Sequence, residues 1–362
     1  MSSEMGNKLK ISIFGESHGK AIGVNINGLP AGEGIDEEEL TSFMNRRRPG
    51  GSNLVTPRNE ADAVKIESGV HLGTTTGSPL CAIIENKDTR SSDYSGFCDT
   101  PRPAHADYTA QMKWGGAADM RGSGHFSGRL TAPICIAGGI AKQILARRGI
   151  YIGAHLSSVG TANDASFPLY PTKELFDAVA AKKLPVIDDS AAAKMEEQIV
   201  SAAADLDSVG GTIELSVIGL PVGLGGPMFS GIEGRMAYAM FGIPAVKGVE
   251  FGSGFGGSRI RGTENNDPFV IDENGNIATE TNNCGGILGG ITNGMPLIAR
   301  VAMKPTPSIG AKQKTVSISR KEAVEISVGG RHDPCVAVRA VPVVEAAAAC
   351  VILDILLEEG SI

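Results

Sequence analysis

Hydrophobic and polar positions follow different periods along this chain, and the period predicts the elements. Ile11 to Phe14 and Ala21 to Leu29 are short apolar runs rich in β-branched residues and broken by glycine, which predicts two strands. Between them Gly15-Glu16-Ser17-His18-Gly19-Lys20 is polar and predicts a turn. Leu40, Phe43 and Met44 then recur at the spacing of one helical face. Asp36 is placed to cap that helix, Glu39 to complete a capping box, and Arg46-Arg47-Arg48 to end it before Pro49-Gly50-Gly51. Two further segments are apolar all round. One starts at Thr131 to Pro133 and passes Ile134, Ile136, Ile140 and Ile144 to reach Arg147-Arg148-Gly149. The other starts near Pro342 and passes Ala346, Ala349, Ile352 and Leu356 to reach Gly360. A helix without a polar face predicts burial between other layers, and each of these two reads as too short to cross a bilayer.

The two halves echo one another. Gly28-Leu29-Pro30-Ala31-Gly32 is repeated as Gly219-Leu220-Pro221-Val222-Gly223, and Gly77-Ser78-Pro79-Leu80 as Gly294-Met295-Pro296-Leu297. In both halves a His- and Arg-bearing stretch, Arg121 to Arg129 or Arg331 to Arg339, precedes an all-apolar segment. Glycine turns can also resemble one another by chance. The preserved order predicts an α+β, single-domain β-α-β sandwich with a pseudo-two-fold internal repeat, its buried helices lying between antiparallel sheets. The repeat halves span roughly 8–150 and 208–360, and the site lies where they meet. Residues 155–205, rich in Ala, Ser and Asp, read as a peripheral excursion.

Composition narrows the class. At 362 residues the chain can bury a large core. Its 48 glycines exceed the average share of roughly 7%, as tight turns or close backbone approach to a ligand would require. A net charge of −7 argues against a general nucleic-acid or membrane surface. The polar N-terminus carries no secretory pattern, and no run of about 18 apolar residues is evident, so a cytoplasmic protein is expected. Cys81, Cys98, Cys135, Cys284, Cys335 and Cys350 are scattered without zinc spacing, which predicts reduced thiols and no metal site.

Several segments carry candidate chemistry. Arg46-Arg47-Arg48 complements a helix C-terminus, but together with Arg58 it would also make a local site for a small anion. His18, His105, His125 and His332 lie in polar, Gly- or Pro-flanked contexts suited to proton transfer, whereas His71 and His155 read as structural. Lys304-Pro305-Thr306-Pro307-Ser308 suits a phosphate or a flavin edge, and equally a plain surface loop. Gly252 to Gly257 looks like a dinucleotide turn, yet Ser258 to Pro268 reads as unable to open the helix such a turn needs. These motifs leave two readings open, a phosphate-handling enzyme and a binding protein for a phosphorylated metabolite.

In order along the chain, Phe14-Gly-Glu-Ser-His-Gly19, Asn45-Arg-Arg-Arg-Pro-Gly50, Arg102-Pro-Ala-His-Ala-Asp-Tyr108, Ser127-Gly-Arg129, Ala245-Val-Lys-Gly-Val-Glu250, Gly285-Gly-Ile-Leu-Gly-Gly290, Lys304-Pro-Thr306 and Gly330-Arg-His-Asp-Pro-Cys335 resemble the motifs of the chorismate synthase family. The resemblance spans essentially the whole chain. It implies a homotetramer, a dimer of dimers, that converts 5-enolpyruvylshikimate 3-phosphate to chorismate. The reaction is an anti-1,4-elimination of phosphate with no net redox change, yet it requires reduced FMN. By resemblance His105 serves the departing phosphate, His18 protonates the flavin, and Asp333 is a base acting through it. Arg47, Arg58, Arg129 and Arg331 are the implied anion contacts. The implied flavin contacts are Arg47, His125, Phe126, Ser127, Pro244, Ala245, Gly289, Lys304, Pro305, Thr306, Pro307, Ser308 and Arg331. No reductase module is evident, so an external flavin reductase is expected, with NADPH as an indirect reductant.

The chain also departs from the family's pattern. His125-Phe126-Ser127-Gly128-Arg129 stands where many members have Arg-Ser-Ser-Ala-Arg, Pro244 replaces a common Asn, and Asn53 stands where an Arg often lies.

Overall fold

The computed structural model describes residues 3–50, 54–56, 60–87, 97–329 and 332–362. The first apolar runs form antiparallel β2 (Lys10–Gly15) and β3 (Ala21–Asn27), and the short β1 (Glu4–Met5) pairs with β2. With β4 (Lys65–Ser68) and β5 (Leu80–Glu85) they make a sheet ordered β1-β2-β3-β5-β4. A second sheet contains β6 (Tyr151–Val159), β7 (Ala162–Asn163), β8 (Gly211–Ile218), β9 (Val246–Phe251) and β10 (Leu297–Met303). Its order is β9-β10-β8-β6-β7. The path β2-β3-β5-β4 is therefore repeated as β6-β8-β10-β9, and in both copies the last strand pairs across a bulge.

The glycine echoes mark equivalent turns. Gly28 and Gly219 take φ of +87° and +82°. A Cβ at either would lie 2.0 Å from Lys8 O or 2.1 Å from Gly149 O, so only glycine fits. In the first half the Gly32 N–H donates to Thr75 O at 2.9 Å, and Thr75 Oγ1 donates to Pro30 O at 2.6 Å. In the second half Gly223 N–H donates to Thr292 O at 2.9 Å, and Thr292 Oγ1 donates to Pro221 O at 2.7 Å.

The all-apolar segments form α3 (Thr131–Ala146) and α7 (Ala337–Glu358), which pack on each other. α3 also covers the first sheet and α7 the second, giving sheet–helix–helix–sheet layering. Gly138 faces Ala346 so closely that a Cβ there would lie 2.2 Å from the Ala346 Cα.

The helix ends differ in part from the pattern-based expectation. α1 (Glu37–Arg47) is capped by Asp36, which accepts from the Glu38 and Glu39 N–H groups. No capping box with Glu39 closes, because the Asp36 N–H instead donates to Gln143 Oε1 on α3 at 2.9 Å. α7 begins at Ala337 with Pro342 inside it, and its 22 residues are enough to cross a bilayer by length and composition. It is buried between the sheets, the environment that its lack of a polar face demands.

The expected excursion also begins later than residue 155, because β6 runs to Val159 inside the second sheet. After it come α4 (Lys173–Ala180) and α5 (Asp189–Ala204). His155 on β6 is fully buried between Asp164 Oδ2 at 2.9 Å and Glu214 Oε2 at 3.0 Å. Burial alone would lower the imidazolium pKa; the two carboxylates outweigh it and raise it.

The three arginines after Asn45 do not form one site. Successive helical residues point about 100° apart, which disperses them. Arg46 reaches buried Glu345 on α7 with both nitrogens, at 2.9 and 2.6 Å, and Lys142 meets the same carboxylate. Burial would raise the Glu345 pKa, but these two cations hold it down to about 2. Arg47 turns into the protein and Arg48 is exposed. After β9, residues Gly254–Gly257 and Gly262–Asn265 each form a single helical turn where the sequence predicted none.

Candidate active site

The stretches that precede α3 and α7 meet at a cleft of about 480 Å³. Its walls come from both halves: residues 104–106 before α2 (Asp107–Trp114), 122–129 before α3, 241–247 after α6 (Ile232–Phe241), 304–308 after β10, and 332–339. A cleft of this size suits a small organic ligand.

His105 lines the cleft, with Nδ1 at 2.7 Å from Asp107 Oδ1. Burial lowers its pKa, and the nearby Arg102 and Lys304 lower it further against the opposing pull of Asp107. His18 does not line the cleft. It lies behind Gly122, where a Cβ would be 2.4 Å from His18 Cδ2. The intervening backbone is held in an unusual shape, with φ of +59° at Gly122, +73° at Ser123 and +53° at Gly124. Ser17 N–H donates to Gly124 O at 3.1 Å, which ties the Gly15 to Gly19 turn to this loop.

His125 also lines the cleft, but its ring nitrogens are engaged elsewhere. Nδ1 lies 2.8 Å from Gly15 O and Nε2 lies 2.7 Å from Ser3 Oγ. The Phe126 and Ser127 positions and Gly128 border the cleft beside it.

Arg47 and Arg129 both border the cleft and share Asp62. Arg47 donates to Asp62 Oδ2 at 2.8 Å, Thr131 Oγ1 at 3.1 Å and Gly128 O at 2.9 Å. Burial, then Arg339, lowers its pKa to about 10 despite the pull of Asp62. Arg129 binds the other Asp62 oxygen and donates to Asn86 Oδ1 at 3.1 Å. Its Nη2 is buried without a hydrogen-bond partner among the described residues.

Asp333 lines the cleft with both oxygens held, Oδ1 by the Thr56 N–H at 2.8 Å and Oδ2 by Arg339 Nη1 at 2.7 Å. Lys304 Nζ donates to Ala104 O at 2.6 Å, and burial lowers its pKa. Thr306 Oγ1 is a second buried polar atom without a hydrogen-bond partner among the described residues. Thr306, Pro307 and Ser308 reach the cleft, whereas Pro305 packs toward Gly210. Pro244 and Ala245 form another wall, and Ala245 holds φ of +75°, a strained value for a residue with a Cβ.

Gly289 is not brought to the cleft. It forms the exposed tip of a hairpin between Ile287–Leu288 and Ile291–Thr292, with φ of +63°, which accounts for glycine there. Arg58, Arg331 and Asn53 lie outside the described residues.

Sequence reasoning passed over Asp62 and Arg339 as site residues, along with the grip of Arg102 on Asp107. Arg102 and Asp107 stand inside a motif already singled out for His105. Asp62 lies in no motif, and only its contacts with two buried arginines reveal it.

Comparison with known proteins identifies the family. Residues 9–357 match the sequence profile of the family described as Chorismate synthase. The chain is 49% identical over 352 residues to a chorismate synthase of Thermococcus gammatolerans, covering 97% of each chain. It is 45% identical over 362 residues to one of Dehalococcoides mccartyi, covering 100% of this chain and 98% of the relative. A crystal structure of a chorismate synthase superposes with a TM-score of 0.78 at 29% identity, covering 98% of this chain and 93% of the other. Matched from its first sheet to its last helix, the chain belongs to the chorismate synthase family.

Proposed function

We propose that this chain eliminates phosphate from 5-enolpyruvylshikimate 3-phosphate in the anti-1,4 sense to give chorismate, with reduced FMN and no net redox change. It is then a carbon–oxygen lyase of the shikimate pathway, supplying aromatic amino-acid biosynthesis. The observation that carries the reading is one cleft in which His105, Lys304, Arg129 and Asp333 face a common space. A substrate with two carboxylates and a phosphate needs such cations, because its charge must be met as water is excluded.

The residues present fit a flavin phosphate. Thr306 Oγ1 is a buried donor without a hydrogen-bond partner among the described residues, suited to an oxygen atom of an anionic ligand, and Arg129 Nη2, 3.9 Å from Glu60 Oε2, makes no hydrogen bond of its own. Backbone at residues 125–127, the Pro244 and Ala245 wall, Lys304, and Thr306 to Ser308 would hold it. Reduced FMN, when bound, supplies the transient electron density that helps phosphate depart.

The remaining steps belong to the chain itself. In the elimination a C–O bond to phosphate and a C–H bond break, and a second ring double bond forms. Burial, with Arg102 and Lys304 beside it, lowers the His105 pKa and favours the neutral ring. An arriving dianionic phosphate raises that pKa, so His105 Nε2 binds a proton there and gives it to the leaving group. The Asp333 carboxylate, steadied by Arg339 and the Thr56 N–H, is the candidate proton acceptor.

The same reading places the enzyme in the cytoplasm as a homotetramer, fed by an external flavin reductase that draws on NADPH. Exposed Phe269, Ile271 and Ile277 share one hairpin and support self-association, since large apolar side chains seldom remain in water in groups. The test is an anaerobic assay with the phosphorylated enol ether and chemically reduced FMN, with and without NADPH. Chorismate and phosphate in equal amounts are expected, without steady NADPH oxidation. Absence of product with reduced flavin present overturns the reading.

A further inference from the structure

His105 opens onto the cleft, but its ring is held from behind. Asp107 Oδ1 lies 2.7 Å from Nδ1, and Arg102 grips both Asp107 oxygens. Arg102 Nε donates to Oδ2 at 2.7 Å, Nη2 to Oδ1 at 2.7 Å, and the Arg102 backbone N–H to Oδ2 at 2.9 Å. The Arg102 and Asp107 side chains are each 1% exposed. Burial would raise the Asp107 pKa, but Arg102 and His105 hold it well below the usual carboxylate range, so the group stays ionised.

An ionised oxygen at that distance cannot face a nitrogen lone pair; Nδ1 must carry the proton. Arg102 Nη2 also lies 3.1 Å from Nδ1, but the shorter 2.7 Å contact with the Asp107 carboxylate requires a proton on Nδ1, and that proton leaves no lone pair there for Arg102. Nε2 is therefore the ring nitrogen left to exchange protons with the cleft. Arg102 has a second task, because its Nη1 donates to Ser308 Oγ at 3.0 Å on another part of the wall. Among the described residues, Lys304 and His332 also face this assembly.

We propose that Asp107 is a positioning residue for the reaction: pinned by Arg102, it locks His105 in the Nδ1–H form and presents Nε2 to the departing phosphate. The inference rests on the phosphate-elimination reading of the cleft. It adds a residue that touches neither substrate nor cofactor and acts through His105. Loss of the carboxylate frees the ring to adopt the other tautomer and removes the charge that favours imidazolium.

Two measurements on the full chain test it. The first is the ¹⁵N spectrum of histidine-labelled protein, with His105→Gln to assign the signal and inorganic phosphate as the probe. An Nδ1–H, Nε2-unprotonated His105 is expected, and an Nε2–H ring overturns the proposal without any need for turnover. The second is the pH dependence of kcat for Asp107→Asn and Asp107→Glu. Asp107→Asn should lose about 10²–10⁴-fold in kcat with KM little changed, and the His105-dependent limb should move to lower pH. Asp107→Glu should restore part of kcat. A limb that stays in place in Asp107→Asn marks a merely structural role and overturns the proposal. Should Asp107→Asn fail to fold, the wild-type spectrum decides alone. A wild type without turnover defeats the functional reading instead, and the spectrum still reports the tautomer.

Discussion

Arg339 Nη1 lies 2.7 Å from Asp333 Oδ2, and both side chains are 14% exposed at the edge of the cleft. The same arginine donates through Nε to Arg47 O at 3.1 Å, which joins the end of α1 to the start of α7. Arg339→Ala should release Asp333 from its position and lower kcat/KM by about 10²-fold, as small displacements of reacting groups do. Circular dichroism should remain native, and steady-state kinetics reads the loss. An unchanged kcat/KM removes Asp333 orientation from the account.

Asp62 stands between two buried cations, Arg47 and Arg129, whose side chains are 2% and 3% exposed. Burial raises the Asp62 pKa, but the two arginines outweigh this and lower it. Its contribution to stability is therefore present above the usual carboxylate pKa and is lost as pH falls through the lowered value. Asp62→Ala leaves uncompensated charge in the protein and should cost about 3–5 kcal/mol. Urea unfolding at neutral pH measures the difference, and a loss no larger than that of an ordinary surface substitution contradicts it.

His155 gives the opposite slope. Its pKa is raised between Asp164 and Glu214, with Arg300 also 4.0 Å from Glu214. Its contribution is complete below the unfolded value of about 6.5 and is lost as pH rises through the folded value. His155→Gln should therefore lower the melting temperature more at pH 6 than at pH 9. Equal losses at both pH values show that the charge contributes nothing.

Gly138 and Ala346 set the separation of α3 and α7. A Cβ at Gly138 meets backbone on α7 at 2.2 Å, which no rotamer can relieve. Gly138→Val should destabilise by more than the roughly 1–3 kcal/mol usual for overpacking. Chemical denaturation checks this, and a stability equal to wild type contradicts the sheet–helix–helix–sheet packing.

Features that a single residue's backbone needs enforce were legible in the sequence. The Gly28 and Gly219 turns recur because each glycine holds positive φ against a carbonyl, and the α3 and α7 patterns are apolar because both faces are covered. Features that depend on tertiary partners were not. β6 carries His155, Ser157 and Ser158, polar residues that disguise a central strand until Asp164 and Glu214 are seen to satisfy the histidine. Arg46, Arg47 and Arg48 read as one basic site because adjacency in sequence hides their divergence around a helix. Asp62, Arg339 and the hold of Arg102 on Asp107 join residues from separate elements, and no local period encodes those pairings. Gly289 matched a motif whose glycine is explained by a hairpin turn.

The central claim is that the cleft between the two halves eliminates phosphate, with His105 serving the departing group. Its most direct test is an anaerobic single-turnover experiment with excess enzyme, reduced FMN and the phosphorylated enol ether, following phosphate and the ultraviolet absorbance of chorismate together. The account predicts that both products appear in step and in equal amounts, and that His105→Ala slows both by about 10²–10⁴-fold. Substrate that binds without releasing either product, or a His105→Ala chain that turns over at the wild-type rate, would contradict it.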